Sequence, residues 1–163
     1  MGIKKFNYFI KILKMNASKL LKKYLAGEKM TKKEIDYLWK RCRDKADQVF
    51  SQWIRNRDKQ NGCITKEVSA CQHRIDHNAH RIERWRYSHR WDEENCSWAC
   101  CSCNTYHEAE HKIFYTMHQI KKHWQEWVDK ELKKRNKIKP TIQELLNIIN
   151  KYSIDNKKEN NIK

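Results

Sequence analysis

The stretch HNAHRIERWRYSHRWDEENCSWACCSCN, residues 77–104, decides how this chain is read. It lacks the three-to-four-residue apolar spacing of a helix, and it concentrates histidine, cysteine, tryptophan and arginine. It closes on Cys100-Cys101-Ser102-Cys103-Asn104, a Cys-x-x-Cys pair opening a predicted helix, which is one half of a structural zinc site. Structural zinc takes four ligands. Cys63 offers a third, but Lys66 stands where a second Cys-x-x-Cys would put its partner. Cys71, His73, Cys96 and Cys101 compete for the fourth place. Cys71 is favoured, because a short hairpin would return it to Cys63 at one knuckle. Buried thiols without a metal are the competing reading.

Between the two halves lies a histidine-rich segment, His73, His77 and His80, followed by Arg81, Arg84, Arg86 and Arg90 and then Asp92-Glu93-Glu94-Asn95. These are the groups that phosphodiester hydrolysis needs. A neutral imidazole takes a proton from water, a divalent ion stabilises charge on the phosphate and leaving oxygen, and arginines hold flanking phosphates. No one of these histidines would carry that reading alone.

Outward from this centre the pattern turns helical. Thr31 and Glu34 make a capping box ahead of Ile35, Leu38, Trp39, Cys42, Ala46, Val49, Phe50, Trp53 and Ile54, which predicts one amphipathic helix over about 32–58. Its outer face carries Lys40, Arg41, Arg43, Lys45, Arg55 and Arg57, either a phosphate-tracking surface or the solvated side of the helix. Asn61-Gly62 is a turn signal. From about Asn104 a second long helix is expected, with Ile113, Phe114, Met117, Ile120, Trp124, Trp127, Val128 and Leu132 near helical spacing. His107 and His111 follow Asn104 on it, as surface histidines or an added metal ligand. Pro140 stops the pattern, and Thr141 with Glu144 caps a short terminal helix bearing Leu145, Leu146, Ile148, Ile149 and Tyr152. The expected division is a basic amphipathic arm over 1–30, one domain over 31–152 and a disordered polar tail over 153–163. Within the domain lie the leading helix, a central unit over 61–120, and helices to 152.

Composition narrows the function classes. Of 163 residues, 36 are Lys or Arg against 20 Asp or Glu, a formal charge of +16, which points to a polyanionic partner or to a merely basic surface. Three Gly and one Pro leave few helix breakers. No stretch approaches the ~20 apolar residues needed to cross a bilayer, and Asn7, Lys11 and Lys14 interrupt the run from Phe6 to Met15, a poor secretory signal. Seven cysteines without such a signal suggest a reducing compartment and metal ligation. The expected location is therefore cytoplasmic.

Several spaced motifs resemble the lambda NinG/Rap group of phage recombination endonucleases, a branch of the HNH nucleases. The leading helix is similar through Lys45-Ala46-Asp47, Phe50 and Ile54-Arg55-x-Arg57-Asp58. The family's Asp-Ala-Gly-His element is answered by His77-Asn78-Ala79-His80, and its Arg-Phe-Asp-Glu-x-Asn by Arg90-Trp91-Asp92-Glu93-Glu94-Asn95. Its Cys-x-x-Cys-Asn is answered by Cys100 to Asn104, and the terminal helix by Lys139-Pro140-Thr141 running into Glu144-Leu145. The resemblance runs from about Trp39 to Tyr152.

The resemblance implies an α+β, mostly helical fold. A β-hairpin between about Cys63 and Asn95 and the helix after it would form a ββα-metal (HNH) unit with a zinc knuckle, flanked by long basic helices. His80 would be the general base, Asn95 would brace its loop, and Asn104 would ligate the catalytic ion. His77 departs from the family by replacing a carboxylate, so the ion would sit on His77 and Asn104 or on the adjacent Asp76. Carboxylate suits Mg²⁺ and imidazole suits softer ions such as Mn²⁺, Ni²⁺ or Zn²⁺. In an alternative register, Asp76-His77 is the Asp-His pair of other HNH enzymes, with His77 as base and Asp76 as ligand. Cys63, Cys71, Cys100 and Cys103 would hold structural zinc, and Arg55, Arg57, Arg81, Arg84, Arg86 and Arg90 would contact DNA. The implied activity is metal-dependent cutting of branched or recombining DNA near the nucleoid of a bacterial host. The partner would be branched or duplex DNA and not a membrane, with a homodimer allowed. Two other classes stay open: a zinc-stapled DNA-binding protein with a decayed site, and a sequence-specific homing or restriction-type HNH enzyme.

Overall fold

The computed structural model describes residues 15–66, 71, 77–106, 113, 116–117, 120–121, 125–133 and 139–160. It is an α+β protein, mostly helical, with one two-stranded sheet among the described residues. The described residues group into two compact units, one of residues up to Phe50 with Pro140–Ile154, the other of Ser51–Lys139 and the residues from Asp155 on.

Among the described residues, the elements of the first unit are all helices. Helix α1 spans Met15–Leu25, where Ala17 and Leu21 are fully buried; this part of the expected basic arm is core. Gly27 ends it at φ +72°, with the Gly27 N–H donating to the Tyr24 carbonyl and the Glu28 N–H to that of Lys23, a left-handed C-cap that glycine adopts without a Cβ penalty. Helix α2 spans Lys32–Asp58. Its capping box is formed reciprocally, Thr31 N–H donating to Glu34 Oε2 at 2.7 Å and Glu34 N–H to Thr31 Oγ1 at 3.3 Å. The same reciprocal pair, Thr141 and Glu144, opens the terminal helix.

The apolar spacing of α2 translates into burial. Leu38, Cys42, Ala46 and Phe50 are at most 1% exposed, and Phe50 meets Tyr152 edge to face at 4.9 Å. Trp39 Nε1 donates to the Pro140 carbonyl at 2.7 Å, joining the start of α2 to the residue that stops the preceding pattern. Leu145, Leu146 and Ile149 complete this core, each side chain contributing roughly 1.5–3 kcal/mol by leaving water. On the α2 stripe, Ile35 is exposed at the first turn and Trp53 is half-buried near the last.

The second unit holds the sheet. Strand β1 spans His77–His80 and pairs antiparallel with β2, Cys96–Ala99, in the register His77↔Ala99, Asn78↔Trp98, Ala79↔Ser97 and His80↔Cys96. The sequence reading ended the hairpin at Asn95; the second strand instead begins just after it. Two four-residue strands cannot stand alone, and their support is local. Ala79, Trp98 and Ala99 are buried with Cys63, Cys100 and Cys103 in one cluster. Asp58, at the end of α2, accepts the Trp98 N–H at 3.0 Å, and a π-helical turn, Ser102–Tyr106, follows directly.

Residues 113, 116–117 and 120–121 are helical, and helix α3 spans Gln125–Lys133. Ile113 and Met117, assigned above to an apolar stripe, are about three-fifths exposed; nothing among the described residues covers them. Phe114 and Trp124 of the expected helical pattern and the side chains of Trp127 and Val128 lie outside the described residues, as does the N-terminal run before Met15. Helix α4 spans Ile142–Asn160, continuing past Ser153, where the polar composition suggested an unfolded tail. That stretch contains no glycine or proline to stop it. No helix among the described residues is long and apolar enough to cross a membrane.

Candidate functional site

Four thiols converge at the base of the hairpin. Gly62, at φ +76° with Trp98 packed 3.6 Å from where a Cβ would be, turns the chain after α2 and delivers Cys63 into the interior. The Ile64 N–H then donates to the Trp98 carbonyl at 3.0 Å, laying this segment along β2. Cys100 follows β2 at once, and the π-helical turn places Cys103 beside it. With Cys71, their Sγ atoms all lie within 4.8 Å of one another, and Cys71 and Cys100 are 3.9 Å apart. Sulfurs bound tetrahedrally at about 2.3 Å from one zinc would be separated by about 3.8 Å. The spacing fits one ion.

Backbone N–H groups and a hydroxyl approach the sulfurs. The Cys100 N–H donates to Cys63 Sγ at 3.3 Å and the Cys103 N–H to Cys100 Sγ at 3.5 Å, while Thr65 Oγ1 lies 3.4 Å from Cys63 Sγ. Burial, reinforced by the adjacent thiols, pushes the Cys103 thiol well above its usual range; a bound dication reverses this preference by holding thiolates. The group could hold a structural metal such as zinc. Of the candidates for the fourth place that lie among the described residues, Cys71 is the one whose Sγ joins the other three. Cys96 is buried on β2 opposite His80 in the strand register, and Cys101 Sγ lies 3.9 Å from Thr105 Oγ1. His73 lies outside the described residues.

Beside the thiols, the π-helical turn brings Asn104 to β1. Asn104 Nδ2 donates to His77 Nδ1 at 3.0 Å, so two of the three proposed catalytic-metal ligands meet. Asp76, the third, lies outside the described residues, as do His107 and His111. His80 stands at the other end of β1, and two-residue alternation puts it on the opposite face of the strand from Ala79. Its Nε2 is 3.0 Å from the Arg90 carbonyl. A carbonyl only accepts, so Nε2 carries a hydrogen, and in the neutral ring Nδ1 is then the basic nitrogen.

The loop that supplies that carbonyl, residues 81–95, is closed by Asn95, 2% exposed. Its Oδ1 accepts the Ile82 N–H at 2.8 Å, and its Nδ2 donates to the carbonyls of Ile82 and His89, both at 3.0 Å. Successive turns close from Glu83 to Arg86, Arg86 to His89, His89 to Asp92 and Asp92 to Asn95. Two contacts tie the loop to α3. The fully buried His89 meets Glu131 at 3.1 Å, and Arg86 reaches the Leu132 carbonyl at 3.4–3.5 Å, near the negative end of the helix.

The arginines divide. Arg84 and Arg86 lie on the loop; Arg90 donates to the Arg84 carbonyl at 2.8 Å and lies over the rings of Tyr87 and Trp91. Arg81 follows His80, its Nε buried without a hydrogen-bond partner among the described residues. Arg55 bonds Ser51 and Gln52 along its own helix. Arg57, proposed above for DNA, is occupied otherwise. It pairs with Asp58 at 2.6 Å, donates to the carbonyls of Glu93 and Cys96 at 2.9 and 2.8 Å, and covers Trp53. It clamps the end of α2 to the entrance of β2. Sequence reasoning listed Arg57 as a DNA contact and Arg57-Asp58 as part of a motif; its adjacency to the helix end was the available signal for a clamp. His89, Glu131 and the exposed Trp85 went unnoticed, because no spacing rule links a loop histidine to a glutamate 42 residues on.

No curated protein and no solved structure matches the chain. The family model described as bacteriophage lambda NinG protein matches residues 9–161, nearly the whole sequence. With its Cys-x-x-Cys-Asn run beside the His77–His80 strand, the chain belongs to the bacteriophage lambda NinG family.

Proposed function

We propose that this protein is a metal-dependent DNA endonuclease of the HNH type, acting on branched or recombination-intermediate DNA. The observation that carries the reading is the chain of bonds from Asn95 through its loop to His80: a buried amide fixes the loop at Ile82 and His89, and the next carbonyl, that of Arg90, fixes the imidazole. An imidazole oriented by a carbonyl at one nitrogen presents a defined basic nitrogen at the other, which suits it to take a proton from attacking water.

His77 and Asn104 would hold the catalytic divalent ion, since a ring nitrogen and a side-chain amide already converge there. That ion would stabilise charge on the scissile phosphate and leaving oxygen. Replacing the family carboxylate by imidazole favours Mn²⁺ or Ni²⁺ over Mg²⁺ at this position. Arg81 and Arg84 are the phosphate-holding residues of choice, and the surplus of 36 cations over 20 acids supports a polyanionic substrate. The cysteine group would act as the structural zinc site that supports the hairpin.

The test incubates purified protein with labelled four-way junction, flap and linear duplex DNA in Mg²⁺, Mn²⁺ or neither. His80→Ala runs alongside. Cutting that needs the ion and vanishes in H80A, with DNA binding retained, is the expected result. Full activity in H80A would remove His80 as the base and turn attention to His77 with Asp76. Salt-dependent binding without cutting in any ion would make the chain a DNA-binding relative whose chemistry has been lost.

A further inference from the structure

Trp85 is the most exposed of the large hydrophobic residues among those described, 64% exposed. Its setting is unlike that of a side chain on a loose loop. It sits at the third position of the turn closed by the Arg86 N–H on the Glu83 carbonyl at 3.0 Å. The residue before it has its carbonyl held by Arg90, and the residue after it is tied to the Leu132 carbonyl. The base of the loop is locked by Asn95. The backbone around the indole is braced on both sides, so the ring is held out into water by a built support.

Its neighbourhood states what the ring would meet. In the sequence the arginines flank Trp85 closely, Arg84 and Arg86 on either side of it with Arg81 and Arg90 farther out, while Glu83 and, at the far end of the loop, Asp92, Glu93 and Glu94 are its acids. A flat, apolar face among cations matches a nucleobase on its phosphate chain, because aromatic rings stack on any base face while cations track the backbone. A base within continuous duplex has both faces covered. Only an unpaired or unstacked base offers one.

We propose that Trp85 stacks on an unpaired nucleobase, and that this contact gives the protein a preference for DNA with single-stranded or branch-point character over continuous duplex. The proposal deepens the nuclease reading and rests on DNA being the partner. The same loop presents Trp85 and supplies the Arg90 carbonyl that orients His80, so an engaged base would be registered directly against the proposed chemistry.

The test measures binding of full-length protein by fluorescence anisotropy, at fixed salt, to a labelled duplex and to the same duplex carrying a short gap. Wild type, Trp85→Ala and Trp85→Phe are compared, and near-ultraviolet circular dichroism verifies the fold of each. Wild type should favour the gapped DNA. W85A should weaken gapped binding by about tenfold, within the range expected for one stacked base, and leave duplex binding within about twofold. W85F should recover most of the loss. Equal losses on both DNAs, or no loss on either, would overturn the proposal while leaving the nuclease reading standing. Wild-type protein that binds neither DNA would overturn both.

Discussion

Asn95 is where one side chain governs the geometry of several others. It satisfies a buried N–H and two buried carbonyls, and each such group left unpaired costs about 1–3 kcal/mol. Asn95→Ala should therefore destabilise the fold by about 2–4 kcal/mol in urea denaturation. It should also depress cleavage by more than the folded fraction accounts for, because the Arg90 carbonyl no longer positions His80. Arg57 makes the opposite point. Its guanidinium is spent on Asp58 and two carbonyls, so Arg57→Lys should lower the melting temperature and leave the salt dependence of DNA binding unchanged. Arg84→Ala should do the reverse, reducing the slope of log affinity on log salt by about one. Asn95 could be read from sequence because it sits inside a motif. The duties of Arg57 could not, because a fork that closes on carbonyls 36 and 39 residues away leaves no trace in local spacing.

At the scale of elements, the helices were legible where the signal was local. Thr31 with Glu34 and Thr141 with Glu144 are three residues apart, and both capping boxes form as the spacing suggested. The Thr31 N–H, then Lys23, hold the Glu34 carboxyl down to about 2 from the usual 4.5. A carboxyl depressed in the folded state stabilises above its unfolded value and loses that contribution as pH falls through its folded one. Glu34→Gln should thus melt below wild type at pH 6 and converge with it near pH 2, as thermal melts at the two pH values would show. The strands were less legible. Cys-Ser-Trp-Ala and His-Asn-Ala-His have weak intrinsic strand preference, and it is the buried cluster of Trp98, Ala79 and the cysteines that holds them. The exposure of Ile113 and Met117 was equally invisible, since helical spacing reports a stripe and not what covers it.

For the molecule as a whole, the two compact units differ in what stabilises them. The first rests on buried leucine, isoleucine and aromatic side chains; the second unit's hairpin packs on a cluster in which two cysteine pairs, Cys63 with Cys71 and Cys100 with Cys103, distant in sequence, are adjacent in space. Purified protein should carry one zinc per chain, measured by elemental analysis, and Cys71→Ala should lose it. Chelation should expose the backbone amides of β1 and β2 in hydrogen exchange well before those of Leu38 to Phe50. Strand pairing has a further consequence in time. A hairpin four residues deep has no register of its own, and a slip of one residue would exchange the places of Ala79 and His80. The thiol cluster, joining Cys63 to the far end of β2, removes that choice. On the nuclease reading, a newly made chain would gain its working histidine only once the cluster has closed, because the register that places His80 would depend on it.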